Sequence, residues 1–375
     1  MNLQSKKNLL LLSRIPSVGA TRLRALLARF QSVDKILNAS TSELSRTPNI
    51  GTATAESISK FLHSPERLKV EADIDAQFDK LSKFNAALIT ILDDDYPSLL
   101  KEIYDAPVYL FVRGNLTPQD SRALAIIGTR YPTDYGKNVA KKFATAFARN
   151  GITVISGLAF GIDSTAHAAA LDAGGRTIAV LGNGIDTIYT DPKGKLYPRI
   201  LENGAIISEE WLGTAPIAEN FPKRNRIISG LSLGIVIVES DHKGGSMITA
   251  KYALEQNRDI YAVPGSIFSP KSNGTNTLIR DSQAKLVLSP DYIIADYPAH
   301  HPKPQSLLDQ FHHVPDLTAD EQKIYALLSH EPIHIDTIAE QSGLDVSDVL
   351  VLLFELEIKG AIRQLAGKLF QRVVD

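Results

Sequence analysis

Six short aliphatic runs dominate the middle of the chain: "ALAIIG", "ITVISG", "TIAVLG", "AIISE", "GIVIVES" and "DIYAVPG", all between Arg122 and Ile294. None alternates apolar with polar residues. A strand that is apolar at every position is buried on both faces, and this requires helices above and below it. The intervening segments, such as Gly136 to Asn150 and Asp163 to Ala173, read as those helices. Alternation of this kind dictates a doubly wound parallel sheet. Two earlier runs, "ALITIL" (Ala87 to Leu92) and "VYLFV" (Val108 to Val112), are expected to extend it.

The flanks follow other periods. Residues 1–64 are expected to form an all-helical domain with an imperfect repeat, "IPSVGATRLRALLARF" from Ile15 and "TPNIGTATAESISKF" from Thr47. Each copy runs Pro, polar, aliphatic, Gly, then helix. Gly19 and Gly51 can turn the chain and leave backbone N–H groups at a helix start. The pattern resembles a tandem helix-hairpin-helix, or SAM-like, module, which often holds DNA phosphates. Ser17 and Asn49 stand where the usual first glycine of that hairpin would be. The first copy carries Arg22, Arg24 and Arg29, the second Glu56. DNA contact by the first copy and a packing or protein-contact role both stay open.

Residues 299–317 are rich in Pro and His without sustained periodicity and read as a linker. The pairs His300-His301 and His312-His313 are assigned to that linker rather than to metal. From residue 318 the expected layout is three helices (Glu321 to Ser329, Ile335 to Ser342, Val346 to Lys359) and a hairpin, "AIRQLAGKLFQRV", turning at Ala366-Gly367. That is a winged helix over 318–375. From Ala319 to Asp375 it holds ten acids against five bases, and its third helix carries Asp348, Glu355 and Glu357. Groove binding needs phosphate neutralisation, so the tail reads as a protein-contact or regulatory domain.

The formal net charge of −2 argues against a uniformly basic surface, so any polyanion site must be a local cluster of Lys and Arg. The absence of cysteine excludes disulfides, thiolate zinc sites and a cysteine nucleophile. Near the N-terminus, the run Leu9 to Leu12 is too short for the about 7–15 apolar residues of a signal peptide. No segment approaches the roughly 18 apolar residues of a membrane span. The expectation is a soluble cytoplasmic protein with no membrane contact.

Ligands of open parallel sheets bind beyond the carboxyl ends of the strands. In order, those ends are Gly128-Thr129-Arg130, "SGLAFGID" (Ser156 to Asp163), "LGNGID" (Leu181 to Asp186), Glu209 with the later segment Phe221 to Arg226, "ESDHKGGSMITA" (Glu239 to Ala250) and Pro264-Gly265. Several pair glycine with a helix start, which presents N–H groups to an anion. Arg130, Lys223, Arg224, Arg226 and Lys243 are expected on the same rim, where a phosphate chain would lie. Arg and Lys neutralise phosphates without sequence preference, and Phe221 either offers a stacking face for an unpaired base or plugs the core. Asn225 either contacts the ligand or ties its loop to the sheet. Arg224 and Arg226 are two apart and diverge on a helix, so one is expected to reach the ligand and the other to brace the loop. No Walker-type G-x-x-x-x-G-K-[ST], strand-linked G-x-G-x-x-G or G-x-S-x-G elbow occurs. His167 reads as a packing or capping residue; Asp163 either caps its helix or contacts the ligand.

Taken together, "AIIGTR", "VISGLAFGIDSTAH", "AVLGNGIDTIYT", "NFPKRNRIISGLS", "GGSMITAKYALEQNRDIYAVPGS" and "GTNTLI" resemble the DNA-processing protein A (DprA, or Smf) family from about Tyr96 to Ile294. The resemblance implies an extended Rossmann-like domain, over 85–298, that binds single-stranded DNA. It further implies a non-catalytic mediator that protects incoming strands in natural transformation and loads RecA recombinase, helping displace single-strand-binding protein. Dimerisation through the Rossmann-like domain is implied as well. Candidate nucleic-acid contacts are Gly128, Thr129, Arg130, Gly157, Gly161, Phe221, Lys223, Arg224, Asn225, Arg226, Lys243 and Gly244; no catalytic residue, cofactor or metal is assigned. Members often carry a basic residue three positions before the phenylalanine. Here Ala218 stands there, followed by Glu219, with Lys223 as the compensating base. A dimer surface is expected near Leu278, Ile279 and Leu286.

Two rival readings are weighed. One is a nucleotide phosphoribohydrolase, whose P-G-G-x-G-T-x-x-E motif needs a catalytic Glu. Here Gly244-Gly245 is followed by Ser246-Met247, and no Glu appears until Glu255. The other is a scaffold or sensor holding a small nucleotide.

Overall fold

The computed structural model describes residues 1–191, 194–298, 317–329, 332–359, 361–365 and 368–372. The expected linker with its His pairs and the Ala366-Gly367 turn therefore lie outside the described residues, apart from Leu317.

Two compact units form, each with its own core. The first opens with six helices: α1 (Leu3–Ser13), α2 (Ala20–Phe30), α3 (Val33–Leu37), α4 (Thr41–Ser45), α5 (Thr52–Leu62) and α6 (Pro65–Lys83). The run Leu9 to Leu12 is fully buried in α1, which is why four leucines stand together there. Helix α6 fills the interval between the expected 1–64 and 85–298 segments.

The sheet elements follow: β1 (Ala86–Thr90), α7 (Ser98–Glu102), β2 (Tyr109–Gly114), β3 (Ala123–Ile127), α8 (Asp134–Arg149), β4 (Thr153–Ser156), α9 (Ile162–Asp172), β5 (Thr177–Leu181), α10 (Tyr197–Glu202), β6 (Gly204–Ser208), α11 (Asn220–Gly230), β7 (Gly234–Ile237), α12 (Gly245–Glu255), β8 (Asp259–Ala262), α13 (Asn273–Arg280), β9 (Lys285–Leu286) and α14 (Pro290–Asp296). Nine strands make one sheet in the order β1-β2-β6-β5-β4-β3-β7-β8-β9. From β6 to β9 all pairs are parallel. The expected extension is present, but β1 and β2 join antiparallel, so the sheet is mixed.

The aliphatic runs are continuous because each strand feeds two cores. In β3, Ala123, Ala125 and Ile127 face one layer, while Leu124 and Ile126 face the other with Phe143 and Phe147 of α8. The same alternation splits Ile235 and Ile237 of β7 from Val236. Strand order reverses between β3 and β7, so the crevice of the fold opens beyond their carboxyl ends.

The helical front end shares the first of these cores. Arg24 donates to the carbonyls of Lys101, Ile103 and Tyr104. Gln77 of α6 exchanges hydrogen bonds with the backbone of Leu212. At the far edge of the sheet, Leu286 and Leu288 are exposed, but Leu278 is buried and cannot form a dimer surface as expected.

The second unit holds α15 (Ala319–Leu327), β10 (Ile333–His334), α16 (Ile335–Ser342), α17 (Val346–Ile358), β11 (Ile362–Leu365) and β12 (Leu369–Arg372). Its sheet order is β10-β12-β11, all antiparallel, and its core is built from Ile324, Ile338, Val349, Leu353, Leu356 and Phe370. This is the expected winged helix, with a short first strand that the sequence reading did not assign.

Candidate nucleic-acid interface

A cleft of about 790 Å³ opens at the reversal point. Its walls come from the β3 end (Gly128 to Tyr131), the start of α11 (Phe221 to Asn225) and the start of α12 (Gly244 to Ser246). Glycine is required where these segments meet. A β-carbon at Gly128 would lie 2.7 Å from Ile162 Cγ1, and one at Gly161, whose φ is +87°, would lie 2.5 Å from the Thr129 carbonyl oxygen. The loops after β3 and β4 are thereby clamped together.

Two carboxylates already occupy places a phosphate would take in a dinucleotide-binding relative of this fold. Glu239, buried, accepts from the Thr133 N–H at 2.9 Å and from its hydroxyl, at the N-terminus of α8. Asp163 accepts from the backbone N–H groups of Gly157 and Ala159. The Gly157 N–H is therefore taken by the protein itself, and Gly161 serves the close approach of the two loops. The N-terminus of α12 differs: Gly244 has no side-chain cap, and a side chain at Gly245 would meet open space. Gly244 to Ser246 line the cleft, and an uncapped helix start there is suited to an anion.

The basic run divides by burial. Phe221 is half-buried, packed edge-on against Tyr189 at 6.1 Å and close beneath Gly182. The guanidinium groups of Arg130 and Arg224 lie 5.6 and 5.8 Å from its ring centroid. Phe221 is thus a support on which Arg130 rests, closer to the plug reading than to a free stacking face. Arg224 is buried and donates to the carbonyls of Gly157 (2.7 Å) and Val180. Burial pulls its pKa down to about 10, opposed by the Asp163 charge, so it stays cationic at neutral pH. Burial conversely raises the Asp163 pKa, opposed by Arg224. Asn225 accepts from Arg224 Nε and donates to the Gly245 carbonyl, tying α11 to α12.

Arg226 does not reach the cleft. It is buried on the other side of α11, paired with Glu209 at 2.6 Å and Asp105 at 3.2 Å. Outward positive charge comes instead from Arg130, Lys223 and Lys243, all exposed, the last two beside the lining residues Pro222 and Gly244. Asp241 lines the cleft as well, its Oδ1 accepting from the His242 N–H.

Sequence reasoning missed the aromatic rim. Tyr131 lines the cleft and is 80% exposed, and Phe160 stands 49% exposed on the clamped loop. Isolated aromatics carry no periodic signal; only their position directly after strand ends marks them. In the front end, Arg22 donates to the carbonyls of Ser17 and Asn49, and Arg24 to the loop after α7. Among the described residues, no group of His, Cys, Asp or Glu is placed to hold a metal ion, and no helix is long and apolar enough to cross a membrane.

Residues 87–298 match the family described as DNA recombination-mediator protein A. The chain belongs to that family. Residues 9–70 match a helix-hairpin-helix motif and 312–368 the winged-helix domain of the same family. Protein Smf of Synechocystis is 34% identical over 96% of this chain and 97% of the relative. Among solved structures, DNA processing protein A of Streptococcus pneumoniae superposes with a TM-score of 0.66 at 32% identity, covering 80% of this chain and all of that one. Its counterpart from Helicobacter pylori, described for a single-stranded DNA binding mode, gives 0.52 at 31% identity over 57% of this chain and 96% of that one.

Proposed function

We propose that this family member is a non-catalytic recombination mediator that binds single-stranded DNA in the cleft at the β3–β7 reversal. The observation that carries the reading is the Arg130–Phe221 support beside the uncapped start of α12. It pairs a fixed cation with backbone donors in an open groove, a combination that tracks a phosphate backbone without reading bases. Tyr131 and Phe160 add stacking faces along the same rim. Gly128, Thr129, Gly157, Gly161, Arg224 and Asn225 build the cleft; Arg130, Lys223, Lys243 and Gly244 contact the strand. Arg226 has no direct part in it.

The mediator would protect incoming strands in the cytoplasm during natural transformation and load RecA recombinase onto them. It would act as a dimer through the Rossmann-like domain. The exposed edge at β9, with Leu286 and Leu288, suits such pairing. A phosphoribohydrolase reading finds no support: Glu255 ends α12, about 15 Å along the helix from its cleft end, and is exposed.

The test is fluorescence anisotropy of labelled poly-dT with wild type and the Arg130→Ala/Lys223→Ala double variant, repeated with duplex and at several salt concentrations. Salt-sensitive binding that prefers the single strand and collapses in the variant supports the cleft. Binding that survives the double substitution unchanged places the DNA elsewhere.

A further inference from the structure

We infer that the winged helix is a docking module for a basic amphipathic helix of another protein, received on the outer face of α17. In a winged helix, the third helix is the one that enters a DNA groove. Here that helix is built for something else. Its inner side gives Val349, Leu353 and Leu356 to the core. Its outer side places Val346, Leu350 and Phe354 at i, i+4 and i+8, with Val351 alongside, and these are 47, 51, 63 and 57% exposed. Spacing of this kind makes one continuous stripe. A soluble surface tolerates scattered apolar side chains, but a contiguous stripe on one helix marks a contact site.

The stripe borders a groove of about 330 Å³ lined by Leu350, Val351, Phe354, Glu357, Gln364 and Phe370. The groove is held in shape from below. Phe370 is buried in the core, and Glu357 Oε1 accepts from the Gln364 N–H at 2.9 Å, which fixes the hairpin to the helix.

Charge selects the occupant. Asp345 and Asp348 stand exposed at one end of the stripe, and at the other Glu355 is exposed and Glu357 half-buried. Three of the bases of this unit do not offset them. Lys359 is paired with Glu321 at 2.6 Å, and Arg372 lies over the Tyr325 ring while donating to the Tyr325 carbonyl. Arg363 precedes Gln364 on β11 and so points to the opposite face of that strand. A phosphate backbone is repelled here. A helix with an apolar face and a Lys- or Arg-rich border is complementary on both counts, filling the groove while its cations meet the four carboxylates.

The probes are two labelled peptides of about 18 residues with leucines at helical spacing, one bordered by Lys and the other by Glu. They are titrated into the full-length chain by fluorescence anisotropy. The Lys peptide binds and the Glu peptide does not. Leu350→Ser/Phe354→Ser weakens the Lys peptide at least about tenfold. Asp348→Lys/Glu355→Lys reverses the preference between peptides. All four positions are exposed, so the unfolding transition stays in place, which excludes misfolding as the cause. Poly-dT binding is unchanged in both variants, so the result stands apart from that of the cleft. The inference is overturned by no Lys-peptide binding to wild type, or by equal binding to wild type and both variants. It is also overturned if Leu350→Ser/Phe354→Ser abolishes a self-association of the wild type, which assigns the face to a second copy, or a wild-type affinity for duplex DNA.

Discussion

Gly157 and the Arg224 guanidinium compete for one space: a β-carbon at Gly157 would lie 2.7 Å from both Nη1 and Nη2. Two motifs 67 residues apart are interlocked at this point, and the Gly157 carbonyl accepts from Arg224 in return. Arg224 cannot swing away, because Val180 and Asn225 hold it as well. Gly157→Ala is therefore expected to cost about 1–3 kcal/mol through overpacking. It also disturbs the guanidinium beside Phe221 and weakens poly-dT binding. Chemical denaturation and anisotropy on the same preparation check both effects. A variant as stable and as tight as wild type would show that the guanidinium has room to move.

Arg130 and Arg226 are expected to separate binding from stability. Arg130 is exposed, so Arg130→Ala leaves the unfolding transition in place. It lowers poly-dT affinity and flattens the log–log salt dependence by about 0.7, the loss of one phosphate contact. Arg226→Ala does the reverse. It strands Glu209 and Asp105, which are 26 and 40% exposed at their side chains. Because these acids are partly solvated, the loss is about 1–3 kcal/mol, below that of a fully buried pair. Poly-dT affinity stays the same while the protein is folded. A drop in affinity for the Arg226 variant at full foldedness would return Arg226 to the interface.

This pair also shows where sequence reasoning stops. The spacing of Arg224 and Arg226 fixes that they diverge on a helix. Which one turns toward the sheet depends on Glu209 and Asp105, and nothing in the local run points to them. The parallel core was legible because burial on both faces leaves an unbroken aliphatic run, as in Ala123 to Ile127. The antiparallel entry of β1 and β2 was not, since a short apolar run carries no direction. The glycine positions were legible as a set, but not the local partners of Gly157 and Gly161. There the N–H groups or the space are taken by the protein's own Asp163 and Thr129.

The helix-hairpin-helix turns keep their backbone shape without their first glycine. Ser17 and Asn49 both adopt left-handed conformations, with φ of 69° and 64°. Asn tolerates that region and Ser does so less readily. Ser17→Gly is expected to stabilise the chain by about 0.5–1 kcal/mol and Asn49→Gly by less. Denaturant midpoints for the two variants provide the check. Equal or negative effects at both sites would mean that side-chain contacts compensate the backbone strain.

His167 links stability to pH. It is completely buried, with Nδ1 2.6 Å from Thr177 Oγ1. The Thr177 hydroxyl donates to the Val154 carbonyl at 2.7 Å, so its oxygen accepts from Nδ1–H. Nε2 then holds the lone pair, and it has no hydrogen-bond partner among the described residues. Protonating it would bury a charged donor without an acceptor. Burial, reinforced by the Arg224 charge, accordingly lowers the pKa to about 3 from an ordinary 6.5. Above about pH 6.5 neither the folded nor the unfolded chain is protonated at this site, and it contributes no pH dependence. As the pH falls below that value only the unfolded chain takes up the proton, so stability declines by up to about 1.4 kcal/mol per pH unit. His167→Gln can keep the bond to Thr177 but has nothing to titrate. Urea unfolding at about pH 7.5, 6 and 5 should show wild type losing stability more steeply than the variant over the lower interval. Parallel losses in both proteins would assign the acid sensitivity to other groups and leave His167 a packing residue alone.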